Sequence, residues 1–481
     1  MSELTIAPVA LRGFFLDNKW VEEGEPVEVR SPYDGAVIGQ VFQGTRRHAE
    51  AAIAAAVKAF GTTRRLPAFE RQRVLRRVAQ AIAERKQEFA RAIAQEAGKP
   101  VRLARTEVDR AVFTFTVAAE ESTRMYGEYL PLDWQEYTAG RWGIVRRFPL
   151  GPVAGITPFN FPLNLVAHKV APAIAAGCSI VIKPAPQTPI SALLLAECVQ
   201  QAGWPDGGLN VVPLSNEDAG LLVTDDRLKL ISFTGSAAVG WDIKRKAGKK
   251  KVVLELGGNA AAIVHSDADV AYAAERCVAG GFNYSGQTCI SVQRILVERS
   301  VYGQFTDHLL ADVGKLRSGD PLDESTDVGP LIREADAARA ADWVQQAVRG
   351  GARLLCGGQR KGSMLEPTVL TGTKSEMKVN CQEIFAPVVT VEPYDDIDEV
   401  LREVNDSPYG LQAGIFTRDS KLLFRAYEEL EVGAVVAGDV PSFRIDHMPY
   451  GGIKDSGLGR EGLRYAIEDM TEPKLLVMNL R

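Results

Sequence analysis

Between residues 153 and 254 five short apolar runs, Val153–Thr157, Ser179–Ile182, Leu209–Val212, Leu228–Phe233 and Val252–Leu254, alternate with longer segments of helical character. Short strands that are apolar on both faces need layers above and below them, and helices placed between them supply those layers. Connections of this kind join parallel strands through right-handed crossovers. The pattern predicts an α/β chain with a doubly wound parallel sheet, the layout that binds a dinucleotide outside the carboxyl ends of its strands. One connecting helix is expected to open with Thr188 as N-cap and Pro189 in its first position.

The flanks extend this plan. Ala49, Ala52, Ile53, Ala56, Val57 and Phe60 recur at helical spacing. A second run from about Pro67 carries Val74, Val78, Ile82, Phe89 and Ile93 and stops at Gly98-Lys99-Pro100. Thr123 to Leu150 is rich in aromatic and β-branched residues and reads as a hairpin of two strands. From roughly Leu256 to Gly451 a second strand-and-helix series follows, with helices near Asp267–Ala279, Tyr302–Lys315 and Ala335–Arg349; Pro473–Leu480 reads as a last strand. A chain of 481 residues predicts about three domains. It buries enough core to need neither disulfides nor metal.

Charge and cysteine usage narrow the function. Lys and Arg number 56 against 61 Asp and Glu, a net charge of −5, which argues against nucleic acid as the main partner. The basic run Lys244 to Lys251 reads as a solvated face. Apolar stretches are broken well before the roughly 18 residues of a membrane span. Met1 to Phe15 shows no basic segment followed by an apolar one, so no secretory leader and no membrane partner are expected. Six cysteines without a CxxC point to reduced thiols in the cytoplasm. Five scattered histidines show no ligand spacing, so no metal is expected.

Five motifs hold residues of the right chemistry. Phe233-Thr234-Gly235-Ser236 ends a strand and opens a helix containing Gly240; a helix N-terminus offers unpaired N–H groups to a pyrophosphate. Lys183 ends another strand, where it can meet a phosphate or ribose. Cys289 sits in the polar loop Gly286-Gln287-Thr288-Cys289 and is a candidate nucleophile. Glu255 stands between a buried strand and Gly257-Gly258, as suits a mobile general base. Asn160, between the prolines of Pro158-Phe159-Asn160-Phe161-Pro162, can donate to an oxyanion. Singly, each also reads as ordinary structure: a turn glycine, a snorkelling lysine, a core thiol, a strand-end carboxylate, a turn-capping amide.

In their order along the chain these motifs resemble the aldehyde dehydrogenase superfamily. The resemblance runs from roughly residue 15 to the end. It is carried by PFNFP at 158–162, KPAPQTP at 183–189, FTGS at 233–236, ELGG at 255–258, GQTC at 286–289, EIFAPV at 383–388 and PYGGIKDSGLGREG at 449–462. It implies an aldehyde dehydrogenase-like fold: a Rossmann-like NAD(P)-binding domain (1–122 and 143–255), an α/β catalytic domain (256–452) and a small β oligomerisation arm (123–142 and 463–481). Two or four copies would pair through that arm, as a homodimer or homotetramer. The same resemblance implies that Cys289 attacks an aldehyde, Asn160 and the Cys289 N–H hold the oxyanion, and Glu255 activates the water that releases the acid. Ile156, Thr157, Pro158, Lys183, Phe233, Gly235 and Ser236 would hold the cofactor, with Glu383 on the nicotinamide ribose and Phe385 beside the ring.

Two departures stand out. Many relatives carry Glu three residues after the lysine, against the adenosine ribose; here Pro186 removes that charge. The cofactor is thus NAD or NADP, with a lean to NADP, because nothing at 186 repels a 2′-phosphate. Ala386 replaces a frequent Gly and is expected to matter little. Arg110, Thr288, Arg444 and His447 are the substrate candidates, pointing to a small polar or anionic aldehyde; Arg110 reads equally as a structural ion-pair residue. Two alternatives stay open: a CoA-acylating dehydrogenase, disfavoured by Glu255, and a catalytically silent binding protein on the same fold.

Overall fold

The computed structural model describes residues 11–479. Residues 1–10, most of the segment read for a leader, and 480–481, the end of the predicted last strand, lie outside the described residues. All five predicted strands form, as Val153–Ile156, Ile180–Lys183, Leu209–Val211, Leu230–Thr234 and Lys251–Glu255. They lie parallel within an eight-stranded sheet. Across the sheet their order is Lys251–Glu255, Leu230–Thr234, Val153–Ile156, Ile180–Lys183, Leu209–Val211. Chain order therefore reverses between Val153–Ile156 and Leu230–Thr234. Connections leave that point in opposite directions and open a crevice at the carboxyl ends of the two strands. Thr157-Pro158 and Gly235-Ser236 follow those ends.

Antiparallel additions close both edges of this sheet. Phe14–Leu16 pairs with Leu209–Val211 at one side, and Gly457–Leu458 pairs with Lys251–Glu255 at the other. Register sets Glu255 opposite both Thr234 and Gly457, so three of the quoted motifs meet at one sheet edge. A second sheet of seven strands carries the later half of the chain and is parallel except for Arg353–Cys356. A third, antiparallel sheet joins Glu128–Pro131, Arg141–Pro149 and Thr471–Asn479. Among the described residues no helix is long and apolar enough to cross a membrane.

Local departures from the sequence reading have local causes. The run from Pro67 to Gly98 is two helices, Ala68–Glu84 and Lys86–Ala97, separated at Arg85. Periodicity carries across that junction because both helices face one core through Val74, Val78, Ile82, Phe89 and Ile93. Gly98 then ends the second helix in the left-handed conformation that favours glycine. A further helix, Val101–Glu121, follows with Ala104, Val108, Ala111 and Phe115 buried. The helix expected to begin at Pro189 begins at Ile190, with Pro189 itself as N-cap. Thr188 does not cap it; the Thr188 hydroxyl is buried without a partner among the described residues. The cap comes from far away: the Glu96 carboxylate accepts from the backbone N–H groups of Ile190 and Ser191 at 2.8 and 2.9 Å.

The same device recurs on the next helix, Val101–Glu121. Glu107 accepts from the N–H groups of Leu163 and Asn164 at 3.0 and 3.1 Å, capping the wholly buried helix Asn164–Ala176. Its other oxygen pairs with Lys99, and both side chains are almost fully buried. Lys99 also lies 3.7 Å from the Phe161 ring centre and 4.4 Å from that of Tyr284. Thus one ion pair fastens the N-terminal helices to the segment after Pro158. Removing one partner of a buried pair costs roughly 3–5 kcal/mol, because the other charge stays buried. Glu107→Ala should lower the unfolding midpoint by an amount of that order, whereas Glu324→Ala, at the exposed Arg105–Glu324 pair, should leave it in place; thermal unfolding of the two variants checks the contrast.

Candidate active site

A cleft of about 510 Å³ opens at the sheet crevice, lined on one side by Thr234 and Glu255 of the first sheet and on the other by the segments that carry Cys289, Glu383 and Arg444. Cys289 lies half-buried in it, in a loop held in an unusual conformation. Tyr284 and Ser285 both adopt left-handed backbone angles, φ 49° and 56°, and Gly286 follows at 68°. Such angles are strained for non-glycine residues and persist only where surroundings enforce them. Here the Tyr284 hydroxyl donates to the Ala97 carbonyl at 3.0 Å, and the Ser285 hydroxyl to the Gly329 carbonyl at 2.7 Å. The Gln287 amide bridges the Pro330 carbonyl and the Ile332 N–H. Gly286 is required: a Cβ there would collide with the Ala386 carbonyl. Asn160 reaches across from the first sheet, its side-chain N–H donating to the Gln287 carbonyl at 2.9 Å. One of its two N–H donors remains uncommitted.

The Cys289 sulfur meets the Tyr450 hydroxyl at 2.9 Å and packs beside Ile290 and Leu411. Burial pushes its thiol up to about 11, opposed by Tyr450 and the Arg444 charge. Glu255 is buried, and neither of its carboxyl oxygens has a hydrogen-bonding partner among the described residues. Burial, then the nearby Glu461 carboxylate, hold it well above the ordinary carboxylate range. Glu461 behaves oppositely: burial opposes its charge, but Lys169, His168 and Arg444 outweigh that and keep it low. Arg444 donates to Glu461 at 2.8 Å and lies with its guanidinium 3.6 Å from the Tyr450 ring centre. His168 joins Glu461 to Asp446, and Asp446 accepts from Arg110 at 2.7 Å. Arg110 is therefore both an ion-pair residue and a wall of the cleft.

The cofactor side fits a dinucleotide on four counts. Ser236 is the N-cap of Ala237–Lys246, yet no side chain caps that helix and no acid lies in its first turn, which leaves N–H groups for a pyrophosphate. Gly257 admits the Glu383 carboxyl, which a Cβ at that position would strike; Glu383 accepts from the Gly258 N–H at 3.0 Å. Phe385, at φ 52°, stands edge-on to Phe159 with ring centres 6.0 Å apart. Lys183, pushed down to about 8 by burial, donates to Asn216 at 3.2 Å.

The structure brings Pro158, Asn160, Gly235, Ser236, Glu255, Thr288, Cys289, Glu383, Phe385, Arg110 and Arg444 to one cleft. Ile156, Thr157, Lys183 and Phe233 lie at or beside the strand ends, outside its lining. His447 does not join them: it is exposed and stands against Phe113, ring centres 6.0 Å apart. Sequence reasoning gave no role to Tyr450, Glu461, His168 or Lys169. Tyr450 and Glu461 lie inside the quoted motif at 449–462, which is where a closer reading would find them. His168 and Lys169 sit in an apolar helical run and carry no local signal. Among the described residues no cluster has the makings of a metal site.

The aldehyde dehydrogenase family model matches residues 20–476. The chain is 44% identical over 477 residues to 3-sulfolactaldehyde dehydrogenase of Priestia aryabhattai, covering 99% of this chain and 100% of that protein. Among solved structures it is similar to aldehyde dehydrogenase 21 from Physcomitrella patens in complex with the reaction product succinate, with 46% identity, a TM-score of 0.97 and coverage of 98% and 99% of the two chains. It is also similar to glyceraldehyde-3-phosphate dehydrogenase GapN from Methanocaldococcus jannaschii complexed with NADP, with 39% identity, a TM-score of 0.92 and coverage of 95% and 100%.

Burial lifts Glu383 from 4.5 to about 7, against the pull of the Gly258 N–H. A carboxyl raised on folding contributes its stability fully below about pH 4.5 and loses it as pH rises through about 7. Glu383→Gln keeps the shape and the acceptor but cannot ionise. In the cofactor-free protein its stability relative to wild type should therefore rise by about 1–3 kcal/mol between pH 4.5 and 7 and level off above, as unfolding midpoints across that range will show.

Proposed function

The chain belongs to the aldehyde dehydrogenase family, and from that premise we propose that it oxidises a small polar or anionic aldehyde to the carboxylic acid, with NAD or NADP, through Cys289. One observation carries the reading: thiol, amide donor and unpaired buried carboxyl line the same cleft as the open helix N-terminus at Ser236. The Cys289 sulfur adds to the aldehyde carbonyl, and the oxyanion takes the Asn160 N–H that Gln287 leaves free, with the Cys289 N–H as second donor. One such donor is typically worth about 2.7–4 kcal/mol of barrier. What a bound NAD(P)+ supplies is a hydride acceptor, held by Ser236, Lys183 and Glu383. Glu255 then takes a proton from water, the hydroxide adds to the Cys289 thioester, and the acid leaves as the sulfur is released. A carboxyl that burial holds above the ordinary range suits that exchange. Its presence favours water over CoA as acceptor.

Arg110 and Arg444 supply the positive wall for an anionic aldehyde. Arg110 spends Nε and Nη2 on Asp446, which leaves Nη1 free to donate to a ligand. The sulfonate in one relative's name and the succinate bound to another are of the same acidic kind. Thr288 adds an uncharged polar wall beside the sulfur. The domain division stated above stands with this reading: cofactor-binding unit, catalytic unit and arm. Tyr129, Trp134, Leu476 and Val477 are exposed on or beside the third sheet, and two or four copies pair by covering them. All six cysteines are free, in keeping with a reducing cytoplasmic setting.

A spectrophotometric screen of acid-bearing and long apolar aldehydes with both cofactors tests the reading. The expected result is reduced cofactor and free acid from small acid-bearing aldehydes without CoA, and none from Cys289→Ala. Preference for long apolar aldehydes would overturn the substrate class, and no turnover across the panel would overturn the activity. Introducing the charge that repels a 2′-phosphate, in Pro186→Glu, should lower kcat/KM for NADP relative to NAD by about tenfold.

A further inference from the structure

Tyr450 is 2% exposed, and its hydroxyl points at the sulfur of Cys289, 2.9 Å away. Three features fix it there. Its backbone bridges Glu461 in both directions, the Tyr450 N–H donating to the Glu461 carbonyl at 3.0 Å and the Glu461 N–H returning at 2.6 Å. Its ring covers Arg444, whose guanidinium lies 3.6 Å from the ring centre. Arg444 is in turn anchored by Glu461 at 2.8 Å. Resting on the reading of Cys289 as nucleophile, we propose that Tyr450 is a further catalytic residue, whose hydroxyl donates to the Cys289 thiolate and stabilises it before attack.

The direction of the hydrogen bond follows from the surroundings. Burial and the neighbouring sulfur hold the phenol well above its ordinary value, so it keeps its proton and serves a thiolate only as donor. Arg444 beneath the ring strengthens that donor, because a cation at the aromatic face draws electron density from the hydroxyl. Against this stands the burial that disfavours the thiolate, and the Tyr450 hydrogen bond does most to oppose it. A donor to a charged acceptor counts for more than one to a neutral group, so losing it weighs on the thiolate and little on the thiol.

Alkylation by iodoacetamide reads the thiolate directly: an S–C bond forms, iodide leaves and the thiol proton passes to bulk water. The rate at Cys289 is followed by mass spectrometry of its peptide from pH 6 to 10, in wild type and in Tyr450→Phe, which keeps the ring over Arg444. The expected result is alkylation about tenfold slower in Tyr450→Phe at each pH across that range, all of it below the thiol's midpoint. Replacement of Tyr450 by difluorotyrosine, a stronger donor, should move the rate the other way. Equal or faster alkylation in Tyr450→Phe, or no acceleration with difluorotyrosine, would overturn the proposal. The readout needs no aldehyde. An enzyme that oxidises aldehydes while its thiol ignores position 450 refutes this inference alone, and one that oxidises none refutes the function instead.

Discussion

Glu255 is held out of water with neither oxygen hydrogen-bonded among the described residues, and the chemistry of the cleft depends on that arrangement. An isolated buried carboxylate is costly, so the group resides mainly in its neutral form. It can ionise for a catalytic moment because compensating charge stands behind it. Arg444, Lys169 and Arg460 each favour its ionised form, while burial and Glu461 disfavour it. The scaffold thus holds this carboxyl well above the ordinary carboxylate range instead of keeping a permanent anion. A permanent anion beside Cys289 would oppose formation of the thiolate.

That balance needs the sheet edge to be rigid. Glu255 closes the strand Lys251–Glu255, where its carbonyl accepts from the Gly235 N–H at 3.0 Å and its register partner on the outer side is Gly457. Glu255, the Gly235 turn and the glycine-rich segment near the C-terminus are consequently one mechanical unit. The thiol belongs to the other sheet, and its loop is strained, with Tyr284 and Ser285 in left-handed conformations. Bonds to Ala97, Gly329 and Pro330 hold the strain in place. Asn160 joins the two halves through the Gln287 carbonyl.

What was legible in the sequence was whatever short-range patterning dictates. The five parallel strands announced themselves because a two-face buried strand must be apolar throughout. Cys289, Glu255 and Asn160 lie close to glycine or proline and gain meaning from their order along the chain, since singly each also reads as ordinary structure; Glu383 came with the family resemblance alone. The helix break at Arg85 was invisible because the apolar face continues through it. The cap on Ile190–Ala202 was misassigned to Thr188 because its true source, Glu96, lies 94 residues away in sequence. Distance in sequence also hid the charge network. Arg110 meets Asp446 across 336 residues and His168 meets Glu461 across 293, pairings that no local pattern encodes. His447 read as a substrate residue because it lies near Arg444 in the chain, whereas its own side chain is exposed and stands against Phe113.

The central claim is that Cys289 carries the acyl group and Glu255 governs its release. Intact-mass and peptide-level analysis of Glu255→Gln, mixed with a small acid-bearing aldehyde and NADP and quenched in acid, tests this most directly. The account predicts one acyl group per chain, carried as a thioester on the Cys289 peptide and persisting far longer than in wild type. An unmodified Cys289 alongside continued turnover, or an acyl group on a different residue, would contradict it.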